Sequence, residues 1–326
     1  MTTEMLIQPK PTCEVPADID YDELKRFLLD APKLAREVGE DGYLALLQSH
    51  LDVIAHRRSG LDNTEDREEM ARFRSHLLPT LLQSEFGRHC FTQPRGYPGD
   101  FITQEMIWLA RTEGRGHRYQ GNSEAGRIIN SVTMNMDNPC ANEERIYRLR
   151  DYIRANPGRI ASIGCGCGIE YWHEFAARID SLFMLDMDQG ALDRAREKML
   201  PEYRAAADFC CDNVLKFILR LPRSEDFGQK KLIYSFGLLD YFDRKSARRI
   251  VHSLFRKVAS GGLLVVTNAH PSSRTRVWME YVGNWWLNYK AEHEMLELVD
   301  GLQGVAHVNL SKDSLGVYQY LEVRHE

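Results

Sequence analysis

The stretch Arg159-Ile160-Ala161-Ser162-Ile163-Gly164-Cys165-Gly166-Cys167-Gly168 decides the fold. Asn156-Pro157-Gly158 stops whatever precedes it, Ile160, Ala161 and Ile163 make a short apolar strand, and three glycines follow at alternate positions. Glycine lets a backbone take conformations that a Cβ forbids and lets it pass close to a ligand lying over the strand ends. Residues 170–177 are expected to form the helix of a strand–loop–helix unit, although a turn needing only positive φ would carry the same triplet. The spacing is G-x-G-x-G, not the G-x-G-x-x-G that suits a pyrophosphate.

Downstream, apolar runs at 181–185, 231–236 and 262–267 alternate with helical patterns. The helix before the last of these has the buried face Ile250/Val251/Leu254/Phe255/Val258. Residues 305–310 and 317–323 supply two final strands, the latter alternating as expected near a sheet edge. With a strand ending at Cys210-Cys211, about seven strands follow residue 158, the pattern of a parallel, doubly wound α/β sheet.

Upstream the period is helical. Leu24/Phe27/Leu28 and Leu44/Leu47/Leu51/Ile54 each line one helix face, and Asp20 with Glu23 reads as a capping box. A further helix is expected from 141 to 155. The expected division is a flexible tail at 1–19, a helical lobe at 20–157 and a sheet domain at 158–326.

The 326 residues carry a net charge of −5, so no basic field gathers phosphate backbones and no nucleic-acid partner is expected. No apolar run approaches the roughly 20 residues of a membrane span, and no membrane insertion is expected. The first twenty residues lack a basic head, an apolar core and a small-residue cleavage site, so a cytoplasmic protein with reduced thiols is expected. The seven cysteines include Cys165-x-Cys167, but no second Cys/His pair stands at zinc-like spacing, and no metal is expected.

Two acid-bearing strand ends accompany the glycine loop, and a third strand end carries a histidine. Asp186 closes Phe183-Met184-Leu185-Asp186, about 20 residues beyond the loop, where ribose hydroxyls are held. Asp212, in Cys210-Cys211-Asp212-Asn213, ends the third strand, where it can accept from an adenine amino group. His270, in Asn268-Ala269-His270-Pro271, ends the strand at 262–267 and is a candidate general base.

G-x-G-x-G loops are the pattern of class I S-adenosylmethionine (SAM) enzymes. Ser162 departs from that pattern, since many members carry an acid there. The likeness goes further in four segments: 94–100 (PRGYPGD), 121–123 (GNS), 234–242 (YSFGLLDYF) and 279–289 (MEYVGNWWLNY). From about residue 90 to the C-terminus the chain resembles a bacterial family of SAM-dependent methyltransferases akin to 3-hydroxypalmitate methyl ester synthases. A related group cyclises SAM to azetidine-2-carboxylate, and Asp137-Asn138-Pro139 fits the polar amine-binding turn of such an enzyme.

The resemblance implies a Rossmann-like, seven-stranded class I SAM-methyltransferase core with an N-terminal helical lid, and SAM as the cofactor. It implies cofactor contacts at Gly164, Gly166, Gly168, Asp186, Asp212, Asn213, Phe236 and Asp100. For the reacting end the candidates are Asn138, Tyr97, Tyr281, His270 and Tyr241. The sulfonium is a cation that favours aromatic faces, and Trp172, Trp278, Trp285 and Trp286 are further candidates that also suit a core. The expected activity is methyl transfer to a small or lipid-like carboxylate or amine metabolite. SAM cyclisation with release of methylthioadenosine, aminocarboxypropyl transfer and non-catalytic SAM binding stand as alternatives. The partner is a small-molecule substrate, and the oligomeric state is left open.

Overall fold

The computed structural model describes residues 19–221 and 227–326; the expected tail lies outside the described residues except for Ile19. Helices come first: α1 (Tyr21–Leu29), α2 (Ala31–Arg58), α3 (Asn63–Leu81), α4 (Glu85–Thr92), α5 (Phe101–Thr112), α6 (Arg115–Arg118), α7 (Glu124–Thr133) and α8 (Asp137–Ala155). Asp20 caps α1 by accepting from the Asp22 and Glu23 amides, while the reciprocal capping box is at Asp62 and Glu65 of α3. The helix expected from 141 starts at Asp137, so Asp137-Asn138-Pro139 forms its first turn; Pro139 costs no bond there because first-turn amides have no intrahelical partner.

Strands and helices then alternate: β1 (Gly158–Ile163), β2 (Ile179–Asp186), α9 (Gln189–Lys198), α10 (Pro201–Ala205), β3 (Ala207–Cys211), α11 (Val214–Arg220), β4 (Lys230–Ser235), α12 (Arg244–Phe255), β5 (Val258–Ala269), α13 (Glu292–Leu296), β6 (Val305–Lys312) and β7 (Tyr318–His325). They form a seven-stranded sheet in the order β3-β2-β1-β4-β5-β7-β6. The pairs from β3 to β5 are parallel, and β7 runs antiparallel between β5 and β6. This is the Rossmann-like core. The strand expected near an edge is next to it, with β6 outermost, but its burial does not alternate: Tyr318, Gln319, Tyr320 and Leu321 are all buried.

The sheet is covered on both faces. One face packs Ile163, Ile233, Leu264 and Val266 against α11, α12 and α13 through Phe217, Ile250, Leu254 and Met295. The other packs Ile160, Met184, Leu232, Tyr234 and Val265 against Leu149 and Ile153 of α8. A second core lies among α1, α2, α3 and α7, and the chain after β5 enters it with Val277, Trp278, Tyr281 and Val282. The helix expected at 170–177 is instead a single 3-10 turn, Ile169–Tyr171. Ala176 takes a φ of 51°, outside helical space, and the Arg150 guanidinium donates to the Glu170 carbonyl at 2.9 Å, an acceptor that a longer helix would occupy.

Ile233 sits at the sheet centre, fully buried and paired on either side with Ala161 and Leu264. Ile233→Ala is expected to lower stability by about 2–5 kcal/mol. A urea unfolding midpoint that does not move would exclude this position from the core.

Candidate active site

A cavity of about 390 Å³ opens where β1 and β4 diverge, outside the carboxyl ends of the strands. Open α/β sheets hold ligands at this switch point, because neighbouring crossovers leave to opposite faces there. The size lies within the roughly 300–1,000 Å³ usual for small-molecule sites.

The glycine loop forms its floor. Gly164, Gly166 and Gly168 have φ of 71°, 54° and 62°, all left-handed. A Cβ on Gly168 would lie 2.9 Å from the Met184 methyl, whereas one on Gly166 would meet nothing within 4 Å and would project into open space. The Asp186 carboxylate accepts from the Gly166 amide at 2.8 Å and from the Asp188 amide at 3.0 Å. Burial nonetheless pushes the Asp186 carboxyl up, these two amides only partly offsetting it. Asp212 follows at the end of β3, held by Arg220 and by the Asn213 amide, while Asn213 itself caps α11.

The opposite end of the cavity is aromatic and acidic. Tyr97 meets Tyr241 edge to face, with ring centroids 6.2 Å apart, and the Trp285 indole donates to the Tyr241 hydroxyl at 3.1 Å. Burial raises both tyrosine pKa values, so both rings stay neutral at physiological pH. Gly99 is required at this corner: a Cβ there would collide with the Tyr241 hydroxyl and lie 2.5 Å from the Trp285 ring. Phe236 lines the wall, with Tyr152 and Tyr320 edge to face against it.

The cavity thus brings together Tyr97, Tyr241, the three glycines, Asp186, Asp212, Asn213 and Phe236. Four expected site residues lie elsewhere. Tyr281 is fully buried in the helical core, donating to Asp66 at 2.6 Å, because the turn Trp278–Val282 sets it against Phe73 of α3 and Arg58 of α2. His270 lies just past β5, where its Nδ1 binds the Ser272 hydroxyl at 2.6 Å; partial burial and the nearby Lys312 lower its pKa. Asp100 has no exposure: it caps α5 through the Thr103 amide and bonds the His89 ring. Asn138 is buried behind the cavity wall. Its amide donates to the Tyr318 hydroxyl at 3.1 Å, and both its carbonyl oxygens accept from Asn142. Of the other tryptophans, Trp172 donates to the Cys167 carbonyl from a buried position, Trp278 joins the helical core and Trp286 is exposed.

Several lining residues were not anticipated from the sequence. Glu170 places a buried carboxylate in the wall beside Ser162, accepting from the Tyr234 hydroxyl at 2.6 Å; burial raises its pKa. Asp240, also pushed up by burial, accepts from the Ala269 amide at 2.6 Å. Arg145, Gln104 and Tyr318 complete this end. Helical spacing was the available signal for Arg145: Asn138, Ala141, Arg145, Leu149 and Ile153 recur at three- and four-residue intervals, one buried face of α8. Among the described residues no three His, Cys, Asp or Glu side chains are grouped to hold a metal, and no helix is long and apolar enough to cross a membrane.

No protein-family model and no curated protein matches this chain. Among solved structures, it is similar to a possible exported protein from Bordetella parapertussis, with a TM-score of 0.54 at 13% identity over 92% of this chain and 96% of that one. It is also similar to the SAH-bound magnesium protoporphyrin IX methyltransferase from Synechocystis PCC 6803, with a TM-score of 0.44 at 12% identity over 69% and 98%. A third is the N-methyltransferase NodS from Bradyrhizobium japonicum WM9, with a TM-score of 0.41 at 20% identity over 58% and 98%. The likeness is one of fold.

The loop 93–100 is tied to the sheet by the Arg95–Asp188 ion pair, whose hydrogen bond from Arg95 holds the Asp188 carboxyl below its ordinary pKa. A depressed carboxyl adds stability above its unfolded value, and loses it as pH falls through the folded one. Arg95 is about one third exposed, so the contribution is expected to be under about 1 kcal/mol. The stability difference between wild type and Arg95→Met should be present at pH 7 and shrink below about pH 4. A pH-independent difference in thermal unfolding would show that the pair is not its source.

Proposed function

We propose that the cavity binds SAM and that the protein transfers its methyl group to a small-molecule acceptor. The observation carrying this reading is the convergence of three left-handed glycines, Asp186 and Asp212 on adjacent strand ends around one cavity. Their fit is chemical. The two backbone bonds to Asp186 leave part of its lone-pair capacity for a ribose diol. Asp212 and Asn213 stand one strand further out, at the place for an adenine. The space over Gly166, which a Cβ would enter, lets the chain approach the bound molecule closely.

When bound, SAM supplies a sulfonium methyl whose bond to sulfur breaks as the acceptor's bond to carbon forms, the electron pair returning to sulfur to give S-adenosylhomocysteine. The protein's part is placement: in-line alignment of acceptor and methyl contributes more than proton transfer does. The Tyr97 and Tyr241 rings can offer a face to a cation, and the enclosing loop limits water, which strengthens such contacts. Asp240 and Glu170, raised by burial, can receive a proton from an acceptor closer to neutral pH than an ordinary carboxylate. For the cyclisation alternative, the two Asn138 oxygens each accept one hydrogen bond from Asn142.

Calorimetry with SAM and S-adenosylhomocysteine tests the binding. Asp186→Ala should weaken SAM about ten- to hundredfold, the cost of one lost charged hydrogen-bond partner. Gly166→Val should be harsher, because its side chain would both strain a φ of 54° and fill the ligand's space. Unchanged affinity in Asp186→Ala would refute the ribose assignment. Incubation with SAM alone separates the reactions: methyl transfer leaves SAM intact until an acceptor is added, whereas accumulation of methylthioadenosine would establish cyclisation instead.

A further inference from the structure

The outward face of α12 carries a row of cations of one sign. Arg244, Lys245, Arg248, Arg249 and Arg256 are all exposed and line a groove of about 760 Å³, with Leu219 of α11 also in its lining. No acidic residue occurs from Arg244 to Phe255. Other helices offset such cations locally: Arg154 pairs with Asp151 on α8, and Arg194 with Glu197 and Arg196 with Asp193 on α9. Among the described residues the one ion pair made by this row joins Arg244 to Glu297. The potential of the row is felt at His252, whose pKa is lowered by burial and then by Arg248 and Arg256. Like charges four residues apart, as Lys245 and Arg249 are, weaken a helix, so this arrangement points to an anionic partner outside it.

Three features select the partner. Lys245 and Arg256 are eleven residues apart, roughly 16 Å along a helix axis, so the row outspans a single phosphate and matches about three turns of an opposing helix. The net charge of −5 already includes these five cations, so the rest of the chain carries −10 and would repel a long polyanion such as a nucleic acid. Leu219 is 79% exposed, and Leu215, one turn earlier on α11, is exposed as well. Apolar side chains beside a cationic row complement a helix that has acidic and apolar faces. The groove also adjoins the cavity: Phe242 lines the cavity and Arg244 the groove, at most about 7 Å of chain apart.

We infer that the α12 face docks an acidic, amphipathic helix of a partner protein beside the mouth of the cavity. The probe is a fluorescein-labelled helical peptide of about 16 residues, with glutamates at four-residue spacing and leucines alongside them. A peptide of the same composition in scrambled order is the control. Fluorescence anisotropy with the full chain should show saturable binding of the ordered peptide at about 50 mM salt, weakened about tenfold or more at about 300 mM. Arg249→Glu/Arg256→Glu should weaken it at least about tenfold. Lys25→Glu/Arg26→Glu makes an equal change of net charge at exposed positions of α1 and should stay within about twofold. Leu219→Ser removes no charge from an exposed site, so it reads out even where a charge variant fails to fold, and should weaken the peptide about threefold or more. Absence of binding by wild type overturns the inference, as does equal binding of the scrambled peptide. Equal losses in the two double variants would reduce the contact to net charge, and full affinity in Leu219→Ser would remove its apolar half; each overturns it. An oligothymidine of about 16 nucleotides that binds more tightly than the peptide and is lost in Arg249→Glu/Arg256→Glu would assign the row to nucleic acid instead. Inorganic phosphate that displaces the peptide where chloride of equal ionic strength does not would assign it to a small anion, and that too overturns the docking.

Discussion

The hydrogen bonds from the Gly166 and Asp188 amides to the Asp186 carboxylate tie the ends of β1 and β2 together, and the rest of the site depends on that tie. Three glycines in left-handed conformation have no intrinsic reason to stay there, since glycine visits both halves of φ space freely. Asp186 fixes the middle one from the neighbouring strand. The Gly164 and Cys165 amides bind the same strand, both donating to the Leu185 carbonyl at 2.8 and 2.9 Å. The carboxylate is held in a place that burial disfavours, as its raised pKa records.

The remainder of the cavity is imposed on this floor from the helical lobe. Arg95 reaches Asp188, two residues beyond Asp186, and so brings the loop 93–100 over the strand ends. Its guanidinium also lies 5.0 Å from the Phe101 ring centroid, at the start of α5. Gly99 lets that loop press against Tyr241 and Trp285, residues from two separate connections of the sheet. The chain after β5 then completes both lobes, with Trp278 and Tyr281 in the helical core and Trp285 at the cavity. Closing the site therefore requires the helices, the sheet and this crossing segment at once, and no one of them encloses it alone.

This explains what was legible in the sequence. Strand runs such as 262–267 and the helical face from Leu47 to Ile54 announce themselves because their periodicity is local. The glycine loop with Asp186 and Asp212 is legible for the same reason, since consecutive strand ends in a parallel sheet stand side by side. The aromatic end of the cavity is assembled from residues remote in sequence. Tyr281 and Trp285 are only four apart, yet one turns into the helical core and the other to the cavity, and a single sequence does not report which core the chain after β5 will join. His270 ends a strand as anticipated, but its amide donates to the carbonyl of Val317, just before the antiparallel β7, and its ring lies in a surface turn. The helix expected at 170–177 fails for a similar reason: Arg150, twenty residues away, satisfies carbonyls there that local propensity would have assigned to a helix.

The same logic settles why two cysteines alternate with the glycines. Burial pushes both thiols well above their ordinary pKa, so neither is a ready thiolate nucleophile. Cys167 packs with Trp108, Ile169 and Trp172, and Cys165 lies against the cluster containing Met184 and Tyr234. Each of these side chains lies between two left-handed glycines of a tightly curved loop. Cysteine is small, apolar when protonated and able to fill such a gap. The C-x-C spacing is thus a consequence of the loop's curvature, and the chemistry of the site belongs to the backbone that the sulfurs support.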